Sequence, residues 1–394
     1  MSQIEEELTQ NIQPDNRQIT SPSSHHNRPQ EDRVMSVSYV PRMKKHVYNR
    51  ATHQSYNKVC WQLAKKYKVD KKGVVLTSSG MAAINLAIMS ILIKNNREHI
   101  NIIYSNELYC DTPRLLRHID EIYDTVDTIL IDITDNSYLK SKFEELRGQT
   151  NILFIETCTN PTGKIIDFSI IPSLVELSKE MFFIVDNTWV TSTLFNPLDY
   201  GADLVVTSLT KYYSGGHCIS GAVIGKEHLM NDIFQHSKIT GNHISLPYCE
   251  IILRQMPQME ERIKKTSTMT LNIANFLENH PKVLSVTHPL LDSHPSSHLA
   301  KMYFNNLGPS VLTFYLEFNT KGDCMRWLDS SDLIQLQTSF GGKETKFDQW
   351  PSRFGKDFKI FQIRLAIGYE SQETEIIAEL KKLLEKLHRV ILCN

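Results

Sequence analysis

Asp186, Ser208, Thr210 and Lys211 are the side chains of this sequence from which a chemistry can be read. They fall within Phe182 to Gly225, a stretch with two short apolar runs, Phe182-Phe183-Ile184-Val185 and Leu204-Val205-Val206. Polar or Gly/Pro residues bound each run, as they bound a buried strand of a parallel sheet. The first run ends on Asp186. The second ends on Thr207-Ser208, with Thr210 and Lys211 just beyond. In a doubly wound α/β sheet, ligands sit outside the carboxyl ends of the strands, so these four side chains are expected in one crevice.

Alone, a lysine is usually a solvated surface charge, and an Asp after a strand is usually a turn former or a cap. The order of strand, acid, strand, Ser-x-Thr-Lys and then Gly215-Gly216 is much harder to obtain by chance. It fits pyridoxal phosphate, which needs a lysine amine for attachment and an acid beside its ring nitrogen. Hydroxyls just before the lysine can hold the phosphate.

Composition excludes several classes. A chain of 394 residues is long enough for two domains with a large core. A net charge of −1 points to neither a nucleic-acid nor a membrane partner. No apolar run approaches a membrane span, and Met1–Gln10 is too acidic and polar for a signal peptide. The seven cysteines form no CxxC pair, so neither a disulfide framework nor a metal site is expected, and the default compartment is the cytoplasm. Residues 1–34 are polar, with the cluster Ser21-Pro22-Ser23-Ser24-His25-His26, and are read as a flexible arm.

Asp186-Asn187-Thr188, Gly201-Ala202-Asp203 and Ser208-Leu209-Thr210-Lys211-Tyr212 resemble the signature of the Cys/Met-metabolism, or trans-sulfuration, family of fold-type I pyridoxal-phosphate enzymes. The resemblance runs from about Tyr48 to the C-terminus. It implies an α/β fold: a large domain whose mainly parallel sheet is covered by helices, plus a smaller α+β C-terminal domain. The expected divisions are an arm over 1–60 that contacts the neighbouring subunit, a cofactor domain over 61–245 and a C-terminal domain over 246–394.

The resemblance assigns roles along the chain. Tyr48 and Arg50, from Tyr48-Asn49-Arg50, match a pair that reaches into the adjacent subunit and holds its cofactor phosphate, which requires a dimer at least; the family implies a homotetramer. Ser78-Ser79-Gly80-Met81, between the strand Val74–Leu76 and a helical pattern to about Ile93, matches the phosphate cradle, with Gly80 and Met81 contributing. A Ser/Gly turn opening a helix suits an anion in any case. Tyr109 matches the tyrosine that stacks on the pyridine ring and exchanges a proton. Asn160, in Glu156-Thr157-Cys158-Thr159-Asn160-Pro161-Thr162, matches the amide that meets the ring oxygen. Ser339, in Ser339-Phe340-Gly341-Gly342-Lys343-Glu344-Thr345, is assigned beside substrate and cofactor. Arg364 is assigned to the α-carboxylate of an amino-acid substrate, although a strand arginine also suits a plain ion pair. Lys211, Asp186 and Tyr109 carry the expected catalysis.

Four departures from the family pattern concern specificity. Cys110-Asp111 follows Tyr109 where small residues are usual. Gly216-His217-Cys218-Ile219 lacks the usual acid after His217. Val47 and Thr338 are uncharged where members that handle cystathionine carry acids, and Asp111 is the candidate substitute. The expected function is carbon–sulfur lysis of a sulfur amino acid, giving a 2-keto acid and ammonia. γ-Replacement on an activated homoserine is the alternative, and a catalytically quiet pyridoxal-phosphate-binding interaction protein is the reading from another class. Helices are expected over Tyr56–Tyr67, over Tyr248–Asn279 with a break near Pro257, and over Ser371–Ile391. Ser310–Phe318 is expected as a strand of the smaller domain.

Overall fold

The computed structural model describes residues 51–350 and 359–387. Tyr48, Arg50, Val47 and the polar arm over 1–34 lie outside them.

Seven strands form the first sheet: β1 (Val74–Thr77), β2 (Ile100–Ser105), β3 (Val126–Ile131), β4 (Thr150–Glu156), β5 (Glu180–Asp186), β6 (Leu204–Ser208) and β7 (Gly221–Gly225). Their order is β1-β7-β6-β5-β4-β2-β3. β3, β2, β4, β5 and β6 run parallel, and β7 lies antiparallel to both of its neighbours. The continuous apolar runs exist because both faces of the sheet are covered. β4 is buried at every residue: Ile152 and Phe154 enter one core cluster, Leu153 and Ile155 the other. β1, β2 and β7 are likewise buried throughout, so no alternation marks them.

The second sheet contains β8 (Ser285–Thr287), β9 (Val311–Glu317), β10 (Gln335–Leu336), β11 (Lys346–Trp350) and β12 (Ile360–Ala366), in the order β10-β11-β12-β9-β8. All its pairs are antiparallel except β10 with β11. One face packs Phe314, Leu316, Phe347, Ile363 and Leu365 against residues of helices Met259–Glu278 and Glu373–Glu385. The other face meets the loop after β4, where the Thr313 hydroxyl donates to the Pro161 carbonyl at 2.8 Å.

The expected long helix is broken where Pro257 stands. Leu246–Gln255 is α-helical, Met256–Gln258 is a single 3-10 turn, and Met259–Glu278 resumes the α-helix. Proline removes an N–H donor and crowds the preceding turn, which accounts for the break. Among the described residues, no helix is long and apolar enough to cross a membrane.

Candidate active site

The carboxyl ends of β4, β5 and β6 carry Glu156, Asp186 and Ser208, with Thr210 and Lys211 just beyond β6. Asp186 is the last residue of β5, and its Oδ1 accepts hydrogen bonds from the Thr188 amide at 2.9 Å and the Thr188 hydroxyl at 2.5 Å. Thr188 Oγ1 in turn accepts from the Ser208 amide at 2.8 Å, tying the ends of β5 and β6 together. Burial pushes the Asp186 carboxyl up to about 6, against the opposing pull of the Thr188 bonds and of Lys211.

Lys211 lies three residues beyond β6, with its Nζ 2.8 Å from Ser339 Oγ and 5.1 Å from the centre of the Phe340 ring. Burial lowers its ammonium to about 8, assisted by the charges of Arg364 and Lys346 and opposed by Asp348 and Asp186. An amine so placed is partly neutral near physiological pH and able to act as a base or nucleophile. Ser339 holds φ at +93°, a left-handed conformation unusual for a residue with a side chain. The turn that imposes it lies directly on the lysine. A Cβ on Gly341, at φ +74°, would stand 2.9 Å from the Tyr212 amide nitrogen and 3.0 Å from the Lys211 carbonyl carbon.

Glu156, at the end of β4, holds two further residues. Its Oε1 accepts from the Tyr109 amide at 2.6 Å and its Oε2 from the Asn160 amide at 3.0 Å. It is the register partner of Asp186 on the neighbouring strand. Burial raises its carboxyl, and the Asp186 and Glu107 charges raise it further. Tyr109 is 41% exposed and so available to a ligand. Asn160 Oδ1 accepts from Arg364 Nη1 at 3.2 Å. Arg364, on β12 and buried, also donates through Nη2 to Asp348 Oδ2 at 2.5 Å, and the same oxygen accepts from the Thr338 hydroxyl at 2.8 Å. The ion pair that a strand arginine suits is therefore present, and the same guanidinium reaches the loop that carries Asn160.

Gly80 and Met81 open helix Gly80–Lys94, whose N-cap Ser79 accepts from the Ala82 amide at 3.0 Å. A Cβ on Gly80 would lie 2.9 Å from Ser208 Cβ, so the helix start and the end of β6 approach as closely as a glycine allows. Thr210 lies in the same loop, but Ser220 occupies its hydroxyl: Thr210 Oγ1 donates to the Ser220 carbonyl at 3.1 Å and accepts from the Ser220 amide at 3.0 Å. Asp111 is paired with Arg114 at 2.8 Å, while Cys110 and His217 are exposed.

The sequence matches the family described as Cys/Met metabolism PLP-dependent enzyme over residues 5–385. The chain belongs to this family. Its relatives include the L-methionine gamma-lyase of Treponema denticola, 32% identical over 79% of this chain and 78% of that protein. The L-methionine gamma-lyase of Fusobacterium nucleatum subsp. polymorphum is 29% identical over 80% of each chain. Among solved structures, cystathionine gamma synthase from Xanthomonas oryzae pv. oryzae, in complex with aminoacrylate and cysteine, superposes with a TM-score of 0.76 at 24% identity, covering 88% of this chain and 90% of that one. That likeness supports the fold.

The donor set fits the cofactor of the family. A half-buried acid, a half-buried amine of lowered basicity and a helix N-terminus beside the Ser208 hydroxyl match, in turn, its ring nitrogen, its carbonyl carbon and its phosphate. Asp186 is a half-buried carboxylate whose desolvation a cationic ring nitrogen would offset. Glu156, Thr188, Phe340 and Asp348 are the site residues that the motif reading passes over. Glu156 had a signal, since it ends an apolar run as Asp186 does. Asp348 had none, because its role depends on the register of β11 against β12.

Proposed function

We propose that this member of the family is a carbon–sulfur lyase acting on a sulfur amino acid and releasing a 2-keto acid and ammonia. The observation that carries the reading is the approach of a half-buried Asp186 carboxylate and the Arg364 guanidinium to a half-buried Lys211 amine, on which both charges act. The names of the methionine gamma-lyases it resembles favour elimination over γ-replacement.

In this reading Gly80, Met81 and Ser208 hold the cofactor phosphate, with Thr210 ordering the loop. Tyr48 and Arg50 of a neighbouring copy complete the hold. The bound cofactor supplies an electron sink. Asp186 keeps the ring nitrogen protonated, Tyr109 packs on the ring and Asn160 meets its oxygen. Arg364 and Ser339 fix the substrate. Lys211 removes the α-proton, and Lys211 with Tyr109 moves protons between carbons before the sulfur substituent leaves. The working unit is read as a cytoplasmic homotetramer, with the arm over 1–60, the cofactor domain over 61–245 and the C-terminal domain over 246–394.

The test is the absorption spectrum of purified protein, alone and with cystathionine, methionine, homocysteine and an O-acyl-homoserine in turn. The expected outcome is a visible band that borohydride bleaches and Lys211→Ala lacks, with keto acid formed from a sulfur amino acid alone. Keto acid or a new thioether appearing only after a thiol is added to the O-acyl-homoserine would favour γ-replacement. A band with neither keto acid nor thioether from any of these compounds would favour the interaction-protein reading, and absence of any band after pyridoxal phosphate is added would overturn the enzyme reading.

A further inference from the structure

The wall of the site formed by the second sheet carries a charge that the proposed mechanism does not use. β11 pairs antiparallel with β12, placing Lys346 opposite Ala366 and Asp348 opposite Arg364. Directly opposed residues share a face of a sheet, and so do residues two apart on one strand. Lys346, Asp348 and Arg364 therefore project from one face, while Phe347 and Leu365 project from the other into the core. The shared face is the one turned towards the crevice, as the bond from Arg364 to Asn160 shows. Lys346 is half-buried there, and its charge is felt at Lys211.

The charges around it are already committed. Asp348 is bound to Arg364 at 2.5 Å and to Thr338, Asp111 is bound to Arg114 at 2.8 Å, and Glu370 is bound to Lys343 at 3.3 Å. Lys346 makes no hydrogen bond or ion pair with any described residue. A half-buried cation with no counter-ion among the described residues is one that a ligand carboxylate would stabilise. Lys346 stands two residues along β11 from the partner of Arg364, a rise of about 7 Å. That spacing suits a second carboxylate at the far end of an amino acid whose α-carboxylate lies on Arg364.

We propose that Lys346 recognises a carboxylate at the distal end of the substrate, so that the site favours dicarboxylic substrates of the cystathionine type over those ending in a methyl or thiol. The wall is suited to this role because both of its nearby acids, Asp348 and Asp111, are neutralised by arginines. Thr338, where an acid would read a distal ammonium, donates its own hydrogen bond to Asp348. The inference rests on the lyase reading above.

The test compares kcat/KM of the holoenzyme for L-cystathionine and L-methionine in wild type, Lys346→Met and Lys346→Arg. Any change in Lys211 basicity acts on both substrates and cancels in their ratio. Wild type is expected to prefer cystathionine. Lys346→Met should reduce that preference about tenfold or more, mainly through KM for cystathionine, and Lys346→Arg should restore most of it. A wild-type preference for methionine, or a ratio that Lys346→Met leaves unchanged, overturns the proposal. Both ligands are also titrated against the visible cofactor band, which reads binding without turnover. Band shifts in the expected ratio without keto acid would sink the lyase reading and sustain the role of Lys346. Equal shifts in wild type and Lys346→Met would sink the role of Lys346 whatever the reaction. Should Lys346→Met fail to fold, Lys346→Gln carries the same comparison.

Discussion

Asp186 carries a conflict between stability and function that a single substitution exposes. Its folded carboxyl titrates near 6, above the unfolded value of about 4, so the folded protein binds this proton more tightly than the unfolded chain. The native state therefore loses stability as pH rises from about 4 to about 6, and the loss is complete above that window. Asp186→Asn removes the buried charge. In cofactor-free protein its melting temperature should exceed that of wild type at pH 7, by an amount that shrinks towards pH 4. Turnover of the same variant, with cofactor restored, should fall by orders of magnitude. A melting difference that does not change with pH would show that Asp186 is not the titrating group. Glu156→Gln tests a different coupling. An amide must present its NH2 to either the Tyr109 or the Asn160 amide, donor against donor. The bound cofactor's band should shift and kcat should fall with little change in KM; an unmoved spectrum and unchanged kcat would remove Glu156 from the positioning of those residues.

Among the elements, the Ser339–Gly342 turn and the start of helix Gly80–Lys94 shape the site most tightly. Gly341→Ala places a Cβ against the Lys211–Tyr212 backbone and holds a left-handed φ that costs about 1–2 kcal/mol with a side chain present. Backbone cannot yield as a flexible side chain can, so the turn must lift Ser339 away from Lys211. The expected result is a large loss of kcat with a modest fall in melting temperature. Wild-type kinetics in Gly341→Ala would show that the turn does not set the lysine. These elements differ in how legible they were. The helix start could be read from Ser79 and Gly80, because caps obey local rules. The turn's pressure on Lys211 could not, because the two segments are more than a hundred residues apart in sequence.

Across the whole molecule, the site is assembled from two sheets, and Arg364 bridges them. It is 3% exposed, bonded to Asn160 beyond the first sheet and to Asp348 within the second. Arg364→Leu leaves the Asp348 carboxylate without its counter-ion. Breaking a buried pair from one side costs about 3 kcal/mol, so unfolding should move to clearly lower denaturant. Arg364→Lys keeps the charge but loses the planar fork, and should raise KM for every amino-acid substrate while leaving the cofactor band in place. A Lys variant with wild-type KM would deny Arg364 its carboxylate. By itself the sequence determined the mainly parallel sheet, the strand ends that bear Asp186 and Ser208 with Lys211 just beyond, the break at Pro257 and the cofactor family. These follow from local periodicity, chain punctuation and the order of a few side chains. Only the tertiary structure decided that Ser339 lies against the lysine, that Glu156 holds both Tyr109 and Asn160, and that Asp348 neutralises Arg364 and leaves Lys346 without a partner among the described residues. Those contacts depend on strand register and on the docking of one sheet against the other, and a linear pattern of residue types encodes neither directly.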